Sequence, residues 1–265
     1  MQITYLPLLR IQRDLYAMPR GTERFRAYIG TMTDAETGDL ALPLVAMNPM
    51  GKDHVPALLD QYLEQDADGL ASAAVSMAAS QALAAIETTA EAGVARTFRV
   101  ALVMADDAKG GWTNRYCTEF TQRFESKAMF RRGWLVGLLW TSEAADAATA
   151  CREALAALWR GVHIVGYGFA RTLDEMMAQE GFAMARAGWE DPQLDADDLE
   201  YTRGVVTPYL EASDRATVMA CLFGDAAARE LGYPPRGLSA RAGLALALDD
   251  ARRASAENVT SFTAR

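Results

Sequence analysis

Histidine and cysteine are scarce in this chain, and the common signatures of enzyme chemistry are missing from it. Only two histidines occur, His54 and His163, so a single chain cannot assemble a three-histidine metal site. Cys117, Cys151 and Cys221 are odd in number and have no paired spacing, which argues against a disulfide framework or zinc knuckle and reads as reduced thiols. There is no Gly-x-Ser-x-Gly elbow for a nucleophilic serine. Neither Gly-x-x-x-x-Gly-Lys-Ser/Thr nor Gly-x-Gly-x-x-Gly is present to cradle a nucleotide phosphate. Positive charge is in the minority: 26 Lys and Arg against 35 Asp and Glu give a net charge of -9, which opposes a broad phosphate-binding surface and hence a nucleic-acid partner. The amino terminus lacks the basic start, apolar middle and small-residue cleavage site of a secretory leader. No uninterrupted apolar run reaches the roughly 18 residues of a membrane span. These absences lead us to expect a cytoplasmic protein that does not enter a membrane.

What is present is ordinary globular composition. With 265 residues, 51% hydrophobic and 23% charged, the chain can bury a sizeable core without metals or disulfides. Helical spacing predicts helices over 7–18, 23–32, 53–63, 70–92 and 113–127. Apolar runs predict strands over 40–47, 98–105 and 133–141, with Pro43 restricting the first to an edge position or a strand start. Ser142 is read as the cap of a further helix. Helical spacing dominates 144–187, where 162–165 reads either as a fourth strand or as helix. An acidic connection over 189–198 lets Asp195 or Asp197 cap the next helix, which runs to 207–208, and a last helical tract covers 238–256 after the break at 233–237. The fold class expected is α/β: a small, mainly parallel sheet with crossover helices in the N-terminal half and a helix-rich C-terminal half. The expected organisation is a single domain over 1–265, in which a mainly helical part, 144–265, packs on an α/β part, 1–143.

The most informative stretch is 99–116, where an apolar run stops at Asp106-Asp107-Ala-Lys109-Gly110-Gly111-Trp112. In open α/β sheets, ligands bind beyond the carboxyl ends of the strands. If the expected strands are parallel neighbours, the loops 48–54, 106–115 and 141–143 emerge on one edge and gather Lys52, Asp53, His54, Asp106, Asp107, Lys109, Trp112, Arg115 and Glu143. Successive strand residues face opposite sides, so only one of Asp106 and Asp107 points into such a crevice. Asp106, Asp107 and His54 are the candidate proton-transfer groups. Lys52, Lys109, Trp112, Arg115 and Glu143 are the candidate substrate-binding residues. Arg115, Glu119 and Arg123 follow at i, i+4 and i+8, a spacing that reads as an exposed ion-pair ladder for Arg123. Arg115 sits in a first helical turn, where a cation is disfavoured, so a nearby carboxylate or bound anion is expected beside it. His163, among apolar neighbours, reads as a core residue, and no spacing supports a metal site.

The function this arrangement suggests is a cytosolic enzyme, hydrolase or lyase, performing acid/base chemistry on a small polar or anionic metabolite, with no cofactor specified. Two other readings stand beside it: a helical accessory protein that binds a partner or forms a homo-oligomer, and a cofactor-dependent enzyme using flavin or haem.

Overall fold

The computed structural model describes residues 2–87, 97–108, 113–189 and 194–263, with side chains except at 87 and beyond 256. It is mixed α/β, mostly helical about a small parallel sheet. The strands are β1 (Gln2–Tyr5), β2 (Thr97–Ala105) and β3 (Trp134–Trp140), paired in the order β1-β2-β3. Ile3 lies opposite Phe98, and Ala105 opposite Trp140. All of β3 and residues 100–105 of β2 are buried. That is why both read as continuous apolar runs, since a parallel sheet is covered on both faces.

The run 40–47, expected as a strand, is not one. Leu44–Ala46 forms a single 3-10 turn, and Leu40 makes only an isolated antiparallel bridge to Thr33. Pro43 has no N–H to give to a ladder, and the edge of β2 is already filled. Four-residue β1 covers its first part. Beyond β1, Gln12 of α1 (Leu9–Ala17) accepts from the Met104 N–H at 2.8 Å and donates to the Leu102 carbonyl at 3.2 Å. One fully buried amide side chain thus satisfies two backbone groups that a longer strand would have paired.

The helices that follow are α2 (Thr22–Met32), α3 (His54–Glu64), α4 (Ala67–Glu87), α5 (Arg115–Phe120) and α6 (Lys127–Arg131). Between α5 and α6 the chain makes a wider π-helical turn at Thr121–Glu125. Then come α7 (Ala147–Tyr167), α8 (Leu173–Arg186), α9 (Ala196–Val206), α10 (Arg215–Glu230) and α11 (Ala242–Thr263). Residues 162–165 lie inside α7. Its cap is Asp146, whose carboxylate accepts from the N–H groups of Ala148 and Thr149; Ser142 has another task, described below. Asp195 caps α9 through the Asp198 N–H. The last tract begins as helix only at Ala242, because Arg241 takes a left-handed φ of 60°. Inside α10, Gly224 has φ 82°, and a Cβ there would come within 2.0 Å of the Ser239 carbonyl.

Two apolar cores result. The first surrounds the sheet and joins α1, α3, α4 and α7, with Leu8, Leu59, Val75, Phe98, Leu102 and Leu158 in its interior. The second lies among α5, α8, α9, α10 and α11, around Phe120, Met176, Leu222, Phe223 and Leu246.

Helix α4 bears on the membrane expectation. Its stretch Ala67–Ile86 has a mean hydropathy of 1.5 over 20 residues and is long and apolar enough to cross a bilayer by length and composition. Alanine supplies that hydropathy even though glycine and serine interrupt the run. Ala67, Ala71, Val75, Ala82 and Ile86 are buried in the first core, and Asp68 accepts from the Tyr5 hydroxyl at 2.6 Å and the Leu9 N–H at 3.1 Å.

Candidate functional site

Parallel strands send their carboxyl ends to one edge. Asp106 and Asp107 directly follow β2, and Thr141 directly follows β3, so register alone places them side by side. Asp106 is 2% exposed and accepts three hydrogen bonds: from His54 Nε2 (2.8 Å) and Thr141 Oγ1 (2.9 Å) on one oxygen, and from Asn48 Nδ2 (2.7 Å) on the other. Burial pushes its pKa up, but the bonds from His54, Asn48 and Thr141 outweigh burial and hold it below the usual carboxylate range. An ionised acceptor at Nε2 puts the imidazole proton there and leaves Nδ1 with its lone pair when the ring is neutral. Nδ1 is buried and has no hydrogen-bond partner among the described residues. The His54 side chain as a whole is partly buried.

The 48–54 loop reaches this edge as expected, although no strand leads into it. Helices α1 and α2 bring it there. The Tyr16 hydroxyl donates to the Asn48 carbonyl, and the Arg24 guanidinium holds the carbonyls of Met18 and Gly51. At Gly51 a Cβ would lie 2.8 Å from Val55 Cγ2 and 3.1 Å from the Tyr16 hydroxyl, so the loop closes only with glycine.

Asp107 engages the other side, as strand alternation requires. Its oxygens accept from the Ser142 N–H at 2.9 Å and the Ser142 hydroxyl at 2.7 Å, and face Arg115 Nη1 at 3.4 Å. Arg115 also donates to the Ser142 hydroxyl at 3.0 Å and to Glu143, and its guanidinium lies 5.0 Å from the Trp140 ring centroid. Its place in the first turn of α5 is thus explained by two carboxylates. Asn114 caps α5 through the Cys117 N–H and ties it to α10 through Glu230 at 2.6 Å. Asp107, Thr113, Asn114, Arg115, Ser142 and Glu230 line an open cavity of about 430 Å³.

Of the residues singled out from the sequence, one chain of contacts joins His54, Asp106, Asp107, Arg115 and Glu143, with Thr141 and Ser142 as the links between them. Lys52 is exposed two residues before His54, and its ammonium makes no hydrogen bond or ion pair among the described residues. Lys109 and Trp112 lie outside the described residues. Asn48 and Thr141 stand in the expected loops, but nothing in their residue type marks them as partners of Asp106.

The expected ladder on α5 needs correction. Glu119 and Arg123 do pair at i, i+4, yet they are only 3% and 7% exposed. Arg123 bonds Glu119 at 2.6 Å and also Glu180 of α8; Arg160 of α7 makes two bonds to Glu180, at 2.6 and 2.9 Å. Arg241, just before α11, makes two to Glu119, at 2.9 and 2.6 Å. Spacing identifies the face of a helix but not what covers it, and here α8 and α11 cover it. Burial opposes ionisation of both carboxyls, but Arg241 and Arg123 overcome it at Glu119, and Arg160 and Arg123 hold Glu180 down at about 2. Arg160 offered one sequence signal, a charge on the buried face of an alanine-rich helix. Arg241 offered none. His163 is partly buried against Tyr167 and Phe182, and burial lowers its pKa.

Among the described residues, no group of three or more His, Cys, Asp and Glu side chains is arranged to hold a metal ion. No family model matches the chain, and no solved structure matches it. It is 36% identical over 74 residues to the uncharacterized protein YjfC of Bacillus subtilis (strain 168), a stretch that is 28% of this chain and 25% of that relative. The chain therefore spans about a quarter of the length of the relative it matches.

Proposed function

We propose that this chain is an enzyme, a hydrolase or lyase, that moves protons on a small polar or anionic metabolite at the carboxyl edge of its sheet. The observation that carries the reading is His54, with Nε2 fixed at 2.8 Å on ionised Asp106 and Nδ1 without a partner among the described residues. An imidazole oriented in this way presents a lone pair that can take a proton from a bound substrate. Asp106 is then the positioning carboxylate, because its oxygens are committed to three donors. Asp107 and Glu143 orient Arg115, and Arg115 with Lys52 forms the anion-binding side. Lys109 and Trp112 are assigned to that side from sequence position alone.

The same proposal takes the molecule as one domain, with the helix-rich part over 144–265 packed on the α/β part over 1–143. It places the protein in the cytoplasm, with a small-molecule partner rather than nucleic acid, in keeping with the net charge of -9. The competing reading, a helical partner-binding protein, draws on Leu70 and Met77 of α4, which are 48% and 78% exposed.

The test is to incubate the purified protein with a mixture of small carboxylate metabolites and follow each by mass spectrometry. The wild type should consume one of them, and His54→Asn, folded by circular dichroism, should do so about a hundredfold more slowly. Equal rates in the two proteins, or no metabolite consumed, would overturn the reading.

A further inference from the structure

Where α7 turns into α8 there is a cavity of about 430 Å³ that shares no wall residue with the sheet edge. Helical spacing builds it from two faces. His163 and Tyr167 stand at i and i+4 in the last turn of α7, and Asp174, Ala178 and Phe182 at i, i+4 and i+8 on α8. Gly168, with φ 80°, turns the chain between them.

Three rings meet on this wall. The His163 centroid is 4.7 Å from that of Tyr167 and 5.7 Å from that of Phe182. Tyr167 is 81% exposed, more than any other large hydrophobic residue described, and its ring stands open to whatever enters the cavity. His163 makes no hydrogen bond among the described residues, and its Nδ1 is buried without a partner there. Burial lowers its pKa, so the imidazole meets a ligand as a neutral group.

The charge on the wall has one sign. Asp174 makes no side-chain hydrogen bond or ion pair among the described residues, and Glu175 spends only one oxygen, on the N–H groups of Arg171 (2.6 Å) and Thr172 (3.4 Å). No lysine or arginine lines the cavity. Arg171, next to Ala170 of the wall, is exposed and pairs with neither carboxylate among the described residues. Arg186 is twelve residues along α8 from Asp174, about 18 Å by helix rise and well beyond a screening length of about 8 Å. Glu180, which acts on His163 from α8, is already paired with Arg160 and Arg123. Two carboxylates thus face the cavity against a single guanidinium nearby.

We propose that this cavity binds a small alkylammonium ion, whose N–H groups donate to Asp174 and to the free oxygen of Glu175 while its alkyl part rests against Tyr167, Phe182 and His163. Aromatic faces attract a cation electrostatically, and those at this end of the helix pair already do so: Phe182 carries the Arg186 guanidinium at 5.5 Å and Phe169 the Lys127 ammonium at 5.5 Å. No hydrogen bond fixes the His163 ring, so it can turn a nitrogen lone pair to a third N–H of the ligand. An anion would meet two carboxylates, and a neutral apolar ligand would strip them of water without giving a donor in return. The volume is that of a small-molecule site, which assigns the cavity to a free amine rather than to the lysine of a partner chain. The site stands on these residues alone and does not rest on the catalytic reading of the sheet edge.

Butylammonium is the probe. Titrated into the full chain, it should give a saturable heat by calorimetry and a saturable shift of the His163 ring-proton resonances, which His54→Asn assigns by removing the other histidine. 1-Butanol and butyrate should bind at least about tenfold less tightly. Asp174→Asn combined with Glu175→Gln should weaken butylammonium about tenfold; glutamine keeps the helix cap at this position. Tyr167→Ala, at an exposed position that should leave the melt unchanged, should weaken it about fivefold. The proposal is overturned by no saturable His163 shift at millimolar butylammonium, by 1-butanol or butyrate binding as tightly, or by unchanged affinity in both variants. Tighter binding of Nα-acetyl-lysine methylamide than of butylammonium would move the occupant to a partner's lysine and overturn the assignment to a free amine.

Discussion

The sheet edge and the α5–α8–α11 interface each bury charge, but they spend their hydrogen-bonding capacity differently. At the interface, the guanidinium groups of Arg123, Arg160 and Arg241 all meet carboxylates, and Glu119 and Glu180 each receive bonds from two arginines. At the sheet edge, Asp106 is as fully engaged, yet among the described residues its partner His54 keeps one nitrogen unpaired. A saturated network fixes how helices meet; an unsaturated one has capacity left for a ligand. The same residue types serve either end, and what separates them is spare valence rather than burial.

The sharpest way to break this comparison is Arg123→Ala. It removes a cation from both Glu119 and Glu180, each almost fully buried, and urea unfolding should show a loss of about 4 kcal/mol. A loss below about 1 kcal/mol would mean that the network carries no more than a surface ladder. Acid unfolding probes the same pairs. The folded pKa of Glu180, about 2, lies below its ordinary 4.5. The unfolded chain thus takes up that proton first as pH falls. The stability contributed is fully present above pH 4.5 and is lost as pH drops toward about 2, roughly 3 kcal/mol in all. Glu180→Gln should flatten the stability–pH curve in that window, as measured by denaturant midpoints. An unchanged slope would remove Glu180 from the account.

The frame beneath the sheet edge is tested by Gln12→Leu. It strands the Leu102 carbonyl and the Met104 N–H, and should destabilise by about 2 kcal/mol while speeding amide exchange at Met104. Smallest of all should be the stability effect of His54→Asn, under about 1 kcal/mol by urea unfolding, because the residue is partly exposed and Asp106 keeps Asn48 and Thr141. A cost near that of Arg123→Ala would make His54 a structural residue and collapse the contrast.

Much of the sheet edge was legible in the residues. The apolar runs at 98–105 and 133–141 are β2 and β3 with boundaries shifted by at most one residue, because a strand covered on both faces shows itself as an unbroken run. Two carboxylates at the end of such a run marked the edge. The misplacement of 40–47 has a physical source: an apolar run records that a segment is buried, not that its backbone is laddered, and Leu44 and Met47 are fully buried without a strand. Ser142 was misread for a related reason. It satisfies the side-chain preference of a cap, but Asp107 claims its hydroxyl and Asp146, four residues on, takes the cap.

Periodicity and composition by themselves marked several of the helices, though not α10, together with the two central strands and the loop that carries Asp106 and Asp107, since each depends on neighbours within a few residues. Only the tertiary structure decided which charges are buried, that Gln12 stands in for a strand, and that Arg123 and Arg160 meet at Glu180. Those facts depend on pairings between residues as far apart as Glu119 and Arg241, and no local pattern encodes which distant guanidinium will neutralise a given carboxylate.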